Sequence, residues 1–360
     1  MDSTAAARAQ QAIVRLSHAG LDARALRVAV LAELRKAIPL DAFWAATVDP
    51  TTLLFTGSVI DGIPEYATPA FLANEFLADD ANTFVTLARG FTPVMSLYEA
   101  TGGDLGKSAR YRDILTPLGY GDELRAAVLS DGACWGVLCL HRSAGDAPFS
   151  AVERAFLSQL MPHLAEGLRA ALLLEHAEIT PGTDGPGVLL IADDFTVLST
   201  TPAAECWLAE IGDWPPRAEA PQAVRAVAAR LWASERTGQP GNVTMPRVRI
   251  HTRAGRWAVL HASRLSGHGG ATAVIVEQAP SADVAPLVLQ AYRLTARETR
   301  VAQLVLLGRS THEISAELCI SALTVQDHLK AVFEKTGVNN RRSLVTQVFA
   351  QQHATRTSGP

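Results

Sequence analysis

The sequence has few cysteines and no long hydrophobic run. Its four cysteines, at positions 134, 139, 206 and 319, show neither metal-ligand pair spacing nor the density of a disulfide-stapled domain. No apolar stretch approaches the roughly 18 residues that would span a bilayer. The N-terminal segment mixes charges into its apolar positions, unlike a signal peptide. We therefore expect a soluble, cytoplasmic protein that has no membrane partner.

Motifs for catalysis are also missing. The chain contains no Gly-x-Ser-x-Gly elbow, no Gly-rich phosphate loop, no His-Glu-x-x-His and no Cys-x-x-Cys. There is no acidic pair after a first strand and no phosphoacceptor Asp in a strand-turn context. The sequence thus predicts a protein that is not an enzyme and is not controlled by a phosphorelay. It assigns no catalytic residue and no metal ligand, and it names no cofactor.

The charge distribution is uneven along the chain. Hydrophobic residues make up 48% and charged residues 19% of the 360, which is globular composition, and the length predicts two or three domains. From Ala291 to the end, nine Lys and Arg face five Asp and Glu, whereas the preceding residues carry 23 against 31. A basic module on an acidic body indicates nucleic-acid binding at one end.

The N-terminal half, residues 1–178, has the pattern of an α+β sensor domain. Apolar spacing predicts helices up to about residue 38, and two strand-like runs follow, joined at Asp49-Pro50. The Ser130-Asp131-Gly132 turn predicts a hairpin, and Ser150-x-x-Glu153 opens a long helix that Pro162 should kink or restart. With the segments 121–125 (GDELR) and 134–142 (CWGVLCLHR), this order resembles a GAF domain.

A second α+β region is predicted at residues 186–280, after linker-like residues 180–187. It shows two strands around Asp193-Asp194, helices, and then a three-strand meander. This order resembles a PAS domain. Either resemblance implies an antiparallel sheet with flanking helices.

The C-terminal segment, residues 291–352, predicts four short helices. Thr295-x-x-Glu298 and Ser310-x-x-Glu313 are capping boxes, and Ser321 caps a third helix that Gly337 terminates. Short helices joined by tight turns form the small all-α bundle that lets one helix enter a major groove.

This segment resembles the LuxR-type (NarL/FixJ-like) helix-turn-helix, of the actinobacterial kind that follows sensor domains. The matching residues include Leu294-Thr295-x-Arg297-Glu298, Glu313-Ile314-Ser315-x-x-Leu318, Ile320-Ser321-x-x-Thr324-Val325-x-x-His328 and Lys335-x-Gly337-Val338. The resemblance implies a recognition helix that begins at Ser321 and places three residues near base edges, namely Thr324, Val325 and Gln326. It implies phosphate contacts from five others: Ser310, Thr311, His328, Lys330 and Lys335. Arg341 is expected either at a phosphate or in an internal pair with Glu298.

Two features depart from the family pattern. Gln326 stands where the family commonly has Lys, and Gln reads adenine where Lys favours guanine or phosphate. Asp327 and Glu334 place negative charge on the same helix. Weaker electrostatic affinity and a shallower salt dependence are expected.

The front regions are expected to hold a small-molecule effector, with aromatic residues lining the pocket: Phe43, Trp44, Phe84, Phe91, Tyr98, Tyr111 and Trp135. The alternative for each is ordinary core packing. Cys134 and Cys139, five apart on one strand, are expected on opposite faces as buried apolar residues. The resulting hypothesis is a homodimeric transcription regulator of double-stranded DNA, in which a linker around 280–292 transmits effector binding. The competing hypothesis is that the N-terminal domains dock a protein partner.

Overall fold

The computed structural model describes residues 2–174, 185–211, 220–236, 245–266 and 271–353. These residues divide into two compact units. One is made of those in the ranges 2–174, 185–250 and 259–277, and the other of those in 251–258 and 278–353. Within the described ranges, every helix is too short or too polar to cross a bilayer.

The first unit begins with a five-stranded sheet. Its helices and strands follow one another along the chain in the order α1 Ser3–Ser17, α2 Ala23–Ala37, β1 Ala42–Val48, β2 Phe55–Asp61, α3 Thr68–Leu77, α4 Phe84–Arg89, β3 Val94–Ser96, α5 Leu97–Ala100, β4 Tyr120–Ser130, β5 Ala133–Ser143 and α6 Ala151–Leu174. The strand order across the sheet is β2-β1-β5-β4-β3, and all of these pairs are antiparallel. The α+β character predicted for this half is confirmed.

The β4–β5 hairpin forms where the sequence predicts it. Asp131 has φ 49° and Gly132 has φ 77°. Two consecutive positive φ values define the tight turn whose twist matches that of the flanking strands, and Asp-Gly is a favoured pair for it.

The N-terminal and C-terminal helices of this region pack together: α1 contacts α2 and α6, and α6 contacts β4 and β5. Little room is left for a side chain at Gly136, because a Cβ there would lie 2.6 Å from Cδ1 of Leu168 and 2.9 Å from the backbone oxygen of Ala46. The Ser150–Glu153 capping box is present, with Oγ of Ser150 accepting from the Glu153 amide at 3.3 Å. Helix α6 continues through Pro162 without a restart.

A second sheet follows in the chain. Its elements are β6 Gly187–Ile191, β7 Val197–Thr200, α7 Pro202–Glu210, α8 Gln222–Arg236, β8 Arg247–His251, β9 Trp257–Arg264 and β10 Thr272–Gln278. The strand order β7-β6-β10-β9-β8 repeats the pattern of the first sheet, with the fifth strand next to the first. The predicted arrangement of two strands, helices and three strands is present. The predicted linker at 180–187 lies mostly outside the described residues.

Helix α8 joins the two sheets of the first unit. Residues 222–229 are buried without interruption, and α8 contacts α3 and β2 of the first region. Its C-terminal half bonds to the second sheet, since the indole nitrogen of Trp232 donates to Oγ1 of Thr272 at 2.9 Å. A helix buried on all sides has partners on all sides.

A buried ion pair also ties these regions. Arg249 of β8 donates from Nε and Nη2 to the carboxylate of Asp49, at 2.8 and 2.5 Å. Nη2 also reaches Oγ1 of Thr51 at 2.7 Å. A bidentate pair of this kind fixes both distance and direction.

The second unit contains the helices α9 Ser281–Ala291, α10 Ala296–Leu306, α11 Thr311–Leu318, α12 Ala322–Thr336 and α13 Arg341–His353. Both predicted capping boxes are present, and Gly337 ends α12 with φ 72°. The expectation of a linker at 280–292 is wrong. These residues form α9, whose apolar side chains are buried and which contacts α10 and α13.

Candidate nucleic-acid interface and buried cavity

The start of α12 is fixed by short-range contacts. Oγ of Ser321 accepts from the backbone amide of Thr324 at 3.0 Å. The preceding helix ends at Cys319, which adopts a left-handed conformation with φ 53°. This turn lets α11 and α12 pack against each other while the first turn of α12 remains exposed.

Two of the predicted contact residues are exposed on the outer face of α12. Gln326 and Lys330 are exposed, and Thr324 and His328 are half-buried. Val325 is 0% exposed and belongs to the core of the helical unit. The prediction that Val325 reaches a base edge is therefore wrong.

A surface groove of about 500 Å³ brings together four residues that the sequence assigns to DNA contact: Thr311, Gln326, Lys330 and Arg341. Glu334 lies in the same groove, so the negative charge noted in the sequence does sit on this surface. The groove is bordered by the beginnings of α11 and α13 and by one side of α12.

Arg341 stabilises this surface from within. Its Nη1 donates to the carbonyl of Arg309 at 2.7 Å, and its Nη2 donates to Oγ1 of Thr311 at 2.8 Å. The expected alternative of a pair with Glu298 is wrong. Arg341 instead holds the chain where α11 begins.

Lys335 is the residue that pairs with Glu298. Its Nζ lies 2.6 Å from Oε2 of Glu298 and also donates to the carbonyl of Arg293 at 3.3 Å. Burial opposes ionisation of this carboxyl, but the hydrogen bonds from Lys335 and from the Thr295 amide outweigh it and lower the pKa of Glu298. Lys335 thus links α12 to α10, which is a different role from the predicted phosphate contact.

The first unit contains a cavity of about 40 Å³. Its lining residues are Trp44, Phe55, Ile60, Ile63, Thr68, Phe71, Leu72, Glu75, Phe84, Arg125, Cys139, His141 and Gln222. Trp44 packs edge-to-face on Phe55 at 4.8 Å, and Phe84 lies 5.6 Å from Trp44. The guanidinium of Arg125 lies 4.4 Å above the Phe84 ring, a cation–π contact.

Of the aromatic residues expected in a pocket, Trp44 and Phe84 line this cavity. The others do not, for separate reasons. Phe43 is buried and, by strand alternation, lies on the opposite face of β1 from Trp44. Tyr111 packs on a separate apolar cluster around Leu97 and Leu115.

The remaining three expected residues also lie elsewhere. Trp135 is buried outside the lining set. Tyr98 and Phe91 are 43% and 107% exposed. The sequence reasoning missed Phe55, Phe71, Arg125 and Gln222. Period-two alternation from Trp44 along β1 and across β2 is the signal that would have found Phe55.

A network of buried charges adjoins the cavity, and two of its members, Glu75 and Arg125, line it. Arg110 is 0% exposed and donates to Oε2 of Glu123 at 2.7 Å, and Arg125 donates to Oε2 of Glu75 at 2.7 Å. Nε of Arg125 lies 3.0 Å from Oε1 of Glu123. Burial opposes ionisation of Glu123, but the two guanidinium groups overcome it and lower its pKa to about 2. Burial dominates at Glu75 and raises its pKa.

Three donors in this network lie close enough to hold a metal ion. The candidate ligand atoms of Glu123, Cys139 and His141 are within 4.8 Å of one another, and all three residues are buried. Burial raises the pKa of the Cys139 thiol and lowers the pKa of His141 to about 4. Two guanidinium cations already contact the Glu123 carboxylate. Their charge opposes a further cation at this position.

The chain matches known proteins in two places. Residues 292–348 match the family described as bacterial regulatory proteins, luxR family, and residues 17–168 match the GAF domain. The spore germination protein GerE of Bacillus subtilis (strain 168) is 38% identical over 56 residues, which cover 16% of this chain and 76% of that protein.

Solved structures show weaker likeness. A GAF domain/HD domain protein from Geobacter sulfurreducens is 20% identical, covering 43% of this chain and 94% of that one, with a TM-score of 0.31. Escherichia coli SdiA is 12% identical, covering 92% of this chain and 91% of that one, with a TM-score of 0.32. Scores this low support no conclusion about function.

The sequence matches agree with the geometry of both units. The luxR-family match falls on α10–α13, where four of the expected contact residues line the groove. The GAF match falls on the first sheet, which contains the cavity. The chain therefore belongs to the luxR family of bacterial regulatory proteins and is a DNA-binding regulator that carries a GAF domain in its N-terminal half.

Proposed function

We propose that this protein is a cytoplasmic, homodimeric transcription regulator that binds specific DNA sequences through α12 and is controlled by a small molecule held in its first unit. The proposal of DNA binding rests on the surface groove, which is lined by Thr311, Gln326, Lys330 and Arg341. Gln326 is the exposed residue able to read a base edge, and Lys330 supplies the charge for a phosphate. Two copies are proposed because a single helix-turn-helix reads only half of a two-fold operator.

The DNA interface is tested on the full chain with duplexes selected from a random pool. Lys330→Met should weaken binding to all sequences and reduce the slope of log K against log salt by about one. Gln326→Ala should cost about 1–3 kcal/mol at one base position and relax specificity there. Lys335→Met is the matched control, since Lys335 is already bound to Glu298, and it should leave the salt slope unchanged. An unchanged slope for Lys330→Met would refute the proposed orientation of α12.

The control of DNA binding is proposed to lie in the first unit. Its support is a cavity with aromatic walls and polar groups inside the GAF match. We also propose that residues 186–280 form a PAS-like domain, because the strand order of their sheet is β7-β6-β10-β9-β8. Native mass spectrometry of the freshly purified chain reports both subunit count and any retained molecule. A dimer with a discrete bound mass supports the proposal, whereas a DNA affinity that responds only to an added protein favours the partner-docking alternative.

A further inference from the structure

The cavity of the first unit is lined in part by a residue from outside the GAF match. Gln222 is the first residue of α8, some fifty positions beyond the end of the matched range, and it lines the cavity with 5% exposure. Among the described residues, its Nε2 has no hydrogen-bond partner. A buried amide donor without a partner is costly, so the position favours an occupant that supplies an acceptor.

A second buried polar atom at the cavity, Nδ1 of His141, also lacks a hydrogen-bond partner among the described residues. His141 also lines the cavity and is 0% exposed, and its Nδ1 has no partner within the described part of the chain. Its other ring nitrogen lies 3.3 Å from Sγ of Cys139, while Tyr120 stacks on the ring at 5.0 Å. The imidazole is therefore held in place, with one nitrogen left for a further partner.

The charged groups next to the cavity are already balanced. Glu75 and Glu123 are matched by Arg110 and Arg125, through contacts of 2.7–3.0 Å. An occupant with a net charge would meet no unpaired counter-charge and would lose its hydration. The apolar remainder of the lining includes the aromatic side chains of Trp44, Phe55 and Phe84, and such a lining favours an aromatic occupant.

The cavity is small, so binding of a larger molecule would have to move the elements around it, including α8. A volume of about 40 Å³ holds about three water molecules and is smaller than any ring-containing compound needs. Entry of such a compound has to displace the surrounding elements, and α8 contributes Gln222 directly. Because Trp232 on the same helix bonds to Thr272 and packs on Phe195 at 4.7 Å, a shift of α8 reaches the second sheet.

Building on the proposed ligand-controlled function, we propose that the cavity binds a small, neutral, flat molecule whose acceptor atom is recognised by Gln222, and that α8 transmits occupancy to the second sheet. Gln222 is the specificity-determining residue. The GAF domain alone would then lack both the recognition contact and the reporting helix.

The test uses probes of one shape and different charge on the full chain. Benzamide is neutral, benzoate is anionic, benzamidinium is cationic, and α-methylstyrene has the shape without the polar atoms. Calorimetry should show benzamide binding at least about tenfold more tightly than either ion. Gln222→Leu should reduce benzamide affinity by about tenfold while leaving that of α-methylstyrene within about threefold.

Controls separate the binding claim from folding and from the proposed function. Arg230→Ala changes an exposed residue of the same helix and should leave all four affinities unchanged. A conserved thermal unfolding profile in Gln222→Leu verifies that the cavity is still formed. Equal affinity for the neutral and charged probes, no binding of any probe, or no effect of Gln222→Leu would each overturn the ligand class. The DNA-binding variants described above decide the proposed function independently of these results.

The role of α8 has its own readout. Hydrogen exchange across residues 222–236 should change on benzamide binding to wild type, including the segment around Trp232. Unchanged exchange in a chain that binds the probe would refute transmission through α8 while leaving recognition by Gln222 intact.

Discussion

Arg110 offers a direct test of how much the buried charge network stabilises the first unit. Its guanidinium is 0% exposed and donates to four acceptors: Oε2 of Glu123, Oδ1 of Asn74, the carbonyl of Ala81 and Oδ1 of Asn82. Arg110→Met keeps the volume of the stem but leaves each acceptor short of a donor. Removing one member of a buried pair costs about 3–5 kcal/mol, which is roughly two to four orders of magnitude in the folding equilibrium.

A matched surface pair provides the control. Arg35 and Asp61 lie 2.6 Å apart, as close as Arg110 and Glu123, but their side chains are 40% and 42% exposed. Exposed pairs contribute about 0–1 kcal/mol, so Arg35→Met should be nearly silent. The assay is urea unfolding of the full chain followed by tryptophan fluorescence, because Trp44 and Trp135 lie in the affected unit. Similar losses for the two variants would refute the reasoning, since burial would then make no difference at equal distance.

Three further predictions concern other parts of the chain. Gly136→Ala places a Cβ 2.6 Å from Cδ1 of Leu168 and 2.9 Å from the backbone oxygen of Ala46, and should cost roughly 1–3 kcal/mol by overpacking, measured in the same unfolding assay. Gly145→Ala has open space and should stay within about 0.5 kcal/mol, so equal costs would contradict the crowding of Gly136 between α6 and β1. Lys335→Met should speed amide exchange in the helical unit at neutral pH. Because folding lowers the pKa of Glu298 below 4.5, the difference in exchange rate between variant and wild type should be present above that pH. It should disappear as the pH falls through the folded pKa, and a difference that persists at lower pH would contradict the ion pair. Iodoacetamide at pH 8 should label the exposed Cys206 and Cys319 and spare the buried Cys134, whose pKa burial raises to about 11; labelling of Cys134 at the same rate would contradict its burial.

Sequence reasoning succeeded where the physical signal is local. The two capping boxes and the Asp131-Gly132 turn each involve residues at most three apart, so the chain's own spacing determines the contact. Strand alternation is also local, and applying it to β1 would have separated Phe43 from Trp44. The helical character of α9 was missed because the linker was inferred from the order of the domains alone, whereas burial against α10 and α13 stabilises the helix.

Contacts between distant residues were not predictable in the same way. Lys335 reaches Glu298 across 37 positions, and Arg341 reaches Thr311 across 30. Residue type does not predict either pair, since other cationic side chains and other acceptors lie at similar distances along the sequence. Gln222 joins a cavity whose remaining lining residues precede it by at least eighty positions. Only the three-dimensional packing of α8 on α3 and β2 makes it part of that site.

The late position of α8 in the chain also sets an order of events during synthesis. The sheet and helices that form most of the cavity are complete in sequence at residue 174, whereas α8 ends at residue 236. At about 5–20 residues per second, a ribosome takes roughly 3–12 s to add the intervening residues. During that interval the walls of the cavity exist without Gln222, and Asp49 still lacks Arg249. A ligand present at translation therefore meets an open site that later closes around it, so effector supplied during expression should load the protein more fully than effector added after purification.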